Sequence, residues 1–216
     1  MMILSEAILF PQGIMPLHIF EPRYRQMLVK VLATDRMFVV ARQRPETPAE
    51  VPEYIAGLGL VRVCVDHPDG TSHLMIQGLS RVRVELPIRR IPYPCAGIQP
   101  VVSVGYNSAA EDDLVAKVRE LVAELIHRTG STAMGFHGNQ ALANTPMMSS
   151  AHQLSGYLET LDDAGEFADF VSGAFLNDSG LRQILLETEN IEQRLRRLIQ
   201  FLLAQVRQAR ESQDYE

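Results

Sequence analysis

Tryptophan is absent, and only two cysteines and two lysines occur among the 216 residues. Each scarcity excludes something. Cys64 and Cys95 lie too far apart for a C-x-x-C metal-ligand pair. In a reducing compartment they read as half-buried thiols, and a disulfide between them would require their strands to pair. Lys30 and Lys117 neither follow a glycine-rich loop nor precede Ser or Thr, so there is no P-loop and nothing predicts ATP hydrolysis. No G-x-S-x-G elbow, H-E-x-x-H pair or S-x-x-K motif occurs, which removes the familiar hydrolases. Only a dyad assembled from distant residues escapes that test. No apolar run approaches the ~18 residues of a membrane span. Met1 to Phe10 carries Glu6 and no Lys or Arg, unlike a secretory signal, so the expected address is the cytoplasm.

What is present is enough apolar mass for a core: 46% of residues are hydrophobic and net charge is only -6. The length suits one large domain or two small ones. Residues 1–105 read as strands. Met37 to Arg42 is a short β-branched run, and Val61, Val63 and Val65 alternate with Arg62 and Cys64. Pro68-Asp69-Gly70 is a turn joining this strand to His73 to Gly78 as a hairpin. Val82, Val84 and Leu86 alternate with Arg81, Arg83 and Glu85, predicting an apolar face on the core and a charged face in water. Ile98 to Val104 reads as a further strand. One helix is expected near Glu21-Pro22, with Tyr24, Met27, Leu28, Val31 and Leu32 on its buried face.

Beyond Gly105 the apolar period changes from two to about 3.6 residues. Ser108 and Glu111 form a capping box ahead of Leu114, Val115, Val118, Leu121, Val122, Leu125 and Ile126. A second helix is predicted from Asp178 to about Glu187. Asn190 and Gln193 open a long final helix whose stripe is Ile191, Leu195, Leu198, Ile199, Leu202 and Val206, with Arg194, Arg196, Arg197 and Arg207 largely off it. Charge divides at the same place, +2 for residues 1–105 and -8 for 106–216. Two parts follow: a β-rich subdomain over 1–105 and a helical subdomain over 106–216.

Three groups of residues could carry function. No charged residue lies between Arg128 and Glu159, where about six would be expected. This stretch holds Met134, Phe136, Met147 and Met148, and methionines beside an aromatic adapt to varied apolar ligands. The plainer reading is that they fill the gap between the two halves. Arg81, Arg83, Arg89 and Arg90 make a basic strip able to meet phosphate, although negative overall charge and few aromatics favour a solvated strand face. Asp66 and Asp69 flank His67 and His73 at the hairpin end as zinc-like ligands. The simpler reading is a pair of solvated histidines, so no metal and no cofactor are assigned.

Leu9-Phe10-Pro11, followed by Met15-Pro16-Leu17-His18-Ile19-Phe20-Glu21-Pro22-Arg23-Tyr24, resembles the opening of the Lon protease N-terminal domain family. Gly57 to Val65, Asp69-Gly70 and Gln77-Gly78-Leu79-Ser80-Arg81-Val82-Arg83-Val84 agree in order, as do Leu185-Leu186-Glu187 and Arg194-Leu195. The resemblance implies an α+β fold, in which an N-terminal β-rich, PUA-like pseudobarrel with one helix is followed by a C-terminal α-helical bundle. It also implies recognition of unfolded or tagged substrates without catalysis, because the chain stops before any ATPase or protease region. Pro11, Pro16, Phe20, Glu21 and Tyr24 read as fold-keeping residues, with Phe20 and Tyr24 packing the helix on the barrel. The leading expectation is a cytoplasmic, non-enzymatic peptide-binding module. It would use an apolar groove between barrel and helices, lined by Met134, Phe136, Met147 and Met148, with unfolded segments or a protease as partner. RNA binding through the arginine strip is the alternative, and an unrecognised hydrolase or metal enzyme around His67 and His73 is a third.

Overall fold

The computed structural model describes residues 1–47, 50–86, 88–105, 109–129 and 156–213. The chain divides into two compact units, Met1–Val102 and Ser103–Glu216. The first is a six-stranded mixed sheet with one helix, the second is helical, and the fold class is α+β. Among the described residues no helix is long and apolar enough to cross a membrane.

In the first unit the strands are β1 (Met2–Leu4), β2 (Ile14–Ile19), β3 (Met37–Arg42), β4 (Ile55–Asp66), β5 (Ser72–Val84) and β6 (Ile98–Val101), with α1 (Pro22–Leu32) between β2 and β3. Their order is β1-β3-β4-β5-β2, and β6 pairs the C-terminal half of β5. Only β1–β3 is parallel. Helix α1 starts with Pro22 at its first turn and buries Tyr24, Met27, Leu28 and Val31. They pack on Leu17 and Ile19 of β2, Leu74 and Ile76 of β5, Val61 of β4 and Phe38 and Val40 of β3. Phe20 does not join them. It is 59% exposed, so Tyr24 alone of the expected aromatic pair holds the helix to the sheet.

The free edges of the sheet are blunted, as an unpaired row of backbone groups invites foreign strands. The Tyr24 hydroxyl accepts from Ile3 N and donates to Ile3 O, both at 3.2 Å, closing the outer side of β1. Pro16 in β2 and Pro100 in β6 each remove a backbone donor from an edge strand. Tyr24→Phe is therefore expected to strand two polar groups of Ile3 and cost about 1–3 kcal/mol in urea denaturation. A loss below a few tenths would show that water replaces the hydroxyl.

Two bulges set which side chains face out. Leu58 pairs Ser80 while Gly59 pairs Gly78, so Leu79 is an extra residue on β5. Val61 pairs Ile76 while Val63 pairs Met75, so Arg62 is an extra residue on β4. An extra residue shifts the two-residue alternation by one position. Hence Val61 and Cys64 meet the core, whereas Val63 and Val65 are 49% and 51% exposed. The simple alternation of Val61, Val63 and Val65 is broken at Arg62. Past Leu79 the slip sends Val82 and Val84 to a second cluster with Val39, Ala41 and Ala56. Arg81, expected in water, is only 2% exposed. The strand expected to reach Val104 ends at Val101, and Val104 instead bridges Asn190.

Glycines admit the Leu9-Phe10 segment against this sheet. A Cβ on Gly57 would lie 2.1 Å from Leu9 O, and one on Gly78 would lie 1.9 Å from Phe10 O. Gly78 is also held by its own N–H to Gly13 O and by Gln12 N to its carbonyl.

The second unit contains α2 (Ala109–Thr129), α3 (Ala164–Phe175), α4 (Ser179–Glu187) and α5 (Ile191–Gln213). Ser108 of the expected capping box lies outside the described residues. Asp178 caps α4 by accepting from Leu181 N, and Asn190 caps α5 by accepting from Gln193 N, both at 2.8 Å. The buried stripe of α5 is Ile191, Leu195, Leu198, Leu202 and Val206, and α2 contributes Val118, Leu121, Val122 and Leu125. Arg194, placed off the stripe by sequence, is fully buried. Its guanidinium donates to Asp169 Oδ1 at 2.8 Å, Thr188 O at 2.9 Å and Ser103 Oγ at 3.2 Å.

Candidate functional site

The slip at Arg62 produces an apolar surface from strands that periodicity would bury. Across β2, β5 and β4 the register places His18 opposite His73, itself opposite Val65, and Pro16 opposite Met75, itself opposite Val63. Ile14 closes the row beside Gln77. Ile14, Val63 and Val65 are exposed and Pro16 and Met75 are half-buried, with exposed Phe20 following β2. Gly13 O accepts from Gly78 N. Backbone groups of residues 13, 15, 17 and 19 therefore point toward β5, and those of 14, 16 and 18 point away. Pro16–Met75 and His18–His73 are consequently non-hydrogen-bonded pairs, in which side chains come closest.

At the hairpin end three imidazoles form a chain. The His18 and His73 rings stack at 4.5 Å and 12°, and His67 Nε2 lies 2.7 Å from His73 Nδ1. Phe20 tilts against His18 at 5.6 Å. The Asp66 carboxyl is held below the usual carboxylate range by the Ser72 hydroxyl and then by the Cys64 thiol. Burial, then Asp66, pushes the Cys64 thiol up. Asp69 is likewise lowered, first by the Thr71 backbone N–H and then by its hydroxyl. Beside this end lies a cleft of about 540 Å³ between α1 and the hairpin, lined by Pro22, Arg25, Val29, Leu32, Asp66 and Thr71 among others. Gly70, at φ +80, lets the Arg25 guanidinium lie across the turn.

The arginines of the expected basic strip are separated in burial. Arg83, Arg89 and Arg90 are exposed and Arg81 is not. Arg90 donates to Glu50 O at 2.8 Å. The Glu50 carboxyl is held below its usual range by Arg23, which donates to both of its oxygens. Met134, Phe136, Met147 and Met148 lie outside the described residues. Cys64 and Cys95 are free thiols packed against the same core. Sequence reasoning placed none of Ile14, Pro16, Val63, Val65 and Met75 in a site, reading Pro16 as fold-keeping and Val63 and Val65 as part of an alternating strand, because their shared face depends on a bulge that leaves no periodic signal.

The family model of the ATP-dependent protease La (LON) substrate-binding domain matches residues 1–204. The chain belongs to this family. It is 24% identical over 202 residues to a Lon protease of Desulfosudis oleivorans, covering 90% of this chain and 22% of that protein. A Lon protease of Xanthomonas oryzae pv. oryzae is 28% identical over 203 residues, with 91% and 22% covered. The chain thus spans under a quarter of the length of these relatives. In fold it is similar to the N-terminal domain of Mycobacterium avium complex Lon protease, with TM-score 0.68, 16% identity and 93% and 95% of the two chains covered. The Lon N-terminal domain protein of Xanthomonas campestris gives TM-score 0.60 at 17% identity, covering 92% and 95%.

The Lon-family motifs have physical work in this chain. Leu9-Phe10-Pro11 is the segment laid over Gly57 and Gly78, Leu185 and Leu186 are buried, and Arg194 is the buried clamp. All of these maintain the fold. The exposed row of Ile14, Pro16, Met75, Val63 and Val65 overlaps the motif segments at Pro16, Val63 and Val65, and its side chains are exposed or half-buried rather than part of the core.

Proposed function

We propose that this Lon-family domain is a non-catalytic, cytoplasmic protein-recognition module whose outward sheet face receives extended apolar segments of unfolded proteins. The observation that carries this reading is the phase slip at Arg62, which leaves Val63 and Val65 exposed beside Met75, Pro16 and Ile14. Apolar side chains in a row on a rigid sheet favour an extended peptide through area burial, and such patches mark interaction surfaces. The blunted edges at Tyr24, Pro16 and Pro100 oppose recognition by strand addition, so contact is by side chains on the face. Delivery of such segments to a protease belongs to the same proposal, with Met134, Phe136, Met147 and Met148 as a second set of apolar contacts.

The test is fluorescence anisotropy with labelled unstructured peptides of graded hydrophobicity, in low and high salt, with a labelled RNA pool in parallel. Apolar peptides are expected to bind with little salt dependence. Val63→Ser with Val65→Ser should weaken them at least about tenfold, because burying one valine is worth roughly 1.5 kcal/mol. The melting temperature should fall by no more than a few degrees, since about half of each side chain is already exposed. Unchanged affinity in the double variant sinks the assignment of the face. Salt-sensitive RNA binding with silence on peptides would transfer function to Arg83, Arg89 and Arg90.

A further inference from the structure

The three-histidine chain at the hairpin end is not used by the peptide reading. We propose that His67 and His73, with His18 stacked behind, form a binding site for one divalent transition-metal ion of the zinc, copper or nickel class. Imidazole nitrogen suits these ions. The two ligands and the ring stacked on one of them come from separate positions that the sheet register brings together: His73 on β5, His67 just after β4, and His18 on β2. His18–His73 is a non-hydrogen-bonded cross-strand pair, the register at which two side chains approach closely enough to share a ligand.

The decisive distance is the 2.7 Å between His67 Nε2 and His73 Nδ1. Two ring nitrogens facing at that distance share one proton. A neutral imidazole has two nitrogens and one proton, so moving that proton to the far nitrogen leaves two lone pairs facing each other across the gap. Metal–nitrogen bonds of ~2.0–2.1 Å at angles near 90–110° need the nitrogens about 2.8–3.4 Å apart. Opening the pair by a few tenths of an ångström and tilting both exposed rings, so that the facing lone pairs converge to one side, brings them to that geometry by side-chain rotation.

The surroundings favour a cation. The carboxylates of Asp66 and Asp69 lie within electrostatic reach of His67, and Ser72 and Thr71 fix them by hydrogen bonds. Among the described residues no three His, Cys, Asp or Glu side chains are grouped so as to hold an ion. The proposed site is therefore limited to the two imidazoles of His67 and His73, with water completing the coordination of a bound ion, which suits reversible binding rather than a closed structural metal.

The experiment is isothermal titration of the full chain with zinc, copper(II) and nickel salts, followed by electron paramagnetic resonance of the copper-loaded protein. One ion per chain is expected, with hyperfine splitting from at least two nitrogens. His67→Gln and His73→Gln should each weaken binding at least ~10-fold, as losing a ligand costs no less than losing an outer-shell partner. His127→Gln, in the helical unit, should leave it unchanged. Circular dichroism of each variant establishes that the fold is kept. Absence of saturable binding in the parent, or unchanged binding in the His67→Gln/His73→Gln double variant, overturns the proposal.

Discussion

Arg194→Ala is expected to destabilise the helical unit by about 3–5 kcal/mol, the range found when one partner of a buried ion pair is removed. Arg194 is 0% exposed and its side chain ties three parts of the unit together. Nη1 reaches Asp169 on α3, Nε reaches the Thr188 carbonyl between α4 and α5, and Nη2 reaches Ser103. Removing the guanidinium leaves the Asp169 carboxylate buried, with only 6% of its side chain exposed. Urea denaturation with a double-mutant cycle provides the measurement. Arg194→Met with Asp169→Asn should cost less than the two single changes added together, because it removes both charges. A single-variant loss under about 1 kcal/mol would mean that water enters and solvates Asp169, and the clamp would then be dispensable.

Gly78→Ala is expected to cost at least about 3 kcal/mol, at the upper end of overpacking penalties. The new methyl group would lie 1.9 Å from Phe10 O and 2.8 Å from its carbonyl carbon. Both are backbone atoms, so no side-chain rotation relieves the clash. The segment carrying them is also pinned by the Gln12 N–H on Gly78 O and the Gly78 N–H on Gly13 O. Gly57→Ala should behave alike, since Leu9 O lies 2.1 Å from its added Cβ. Gly156, with nothing within 4 Å, is the control: there Ala should be neutral to within about 0.5 kcal/mol. A neutral Gly78→Ala would show that the Leu9-Phe10 segment can lift from the sheet, and its role as a fixed layer would be withdrawn.

Much of the fold was legible because it rests on local chemistry. Pro22 at the first turn of α1, Asp178 and Asn190 at the helix starts, and the turn residues Asp69-Gly70 all act within a few residues of themselves. Helix α3 was not singled out, although Asp163 accepts from Glu166 N as a cap. Its small residues, Ala164, Gly165, Ala168, Gly173 and Ala174, blur the apolar period. Arg194 was misplaced for a related reason. It lies three residues after Ile191 and four before Leu198, on the buried side of α5, and its polarity argued for water. Its burial is made tolerable by Asp169, 25 positions earlier in sequence, together with Thr188 O and Ser103 Oγ.

The candidate site was the least legible part. Sequence alone determined the change from a two-residue to a 3.6-residue period, the caps and turns, the glycines, and the absence of familiar catalytic signatures, since each is a property of neighbouring residues. Tertiary structure decided which valines face solvent, which arginines are buried and which histidines touch. A bulge is a mismatch between two strands. The extra residue at Arg62 exists only relative to β5, so the alternation within β4 carries no trace of it. The meeting of His18, His67 and His73 likewise depends on the register of β2 on β5 and the closure of the hairpin, which are fixed by pairing across space rather than by spacing along the chain.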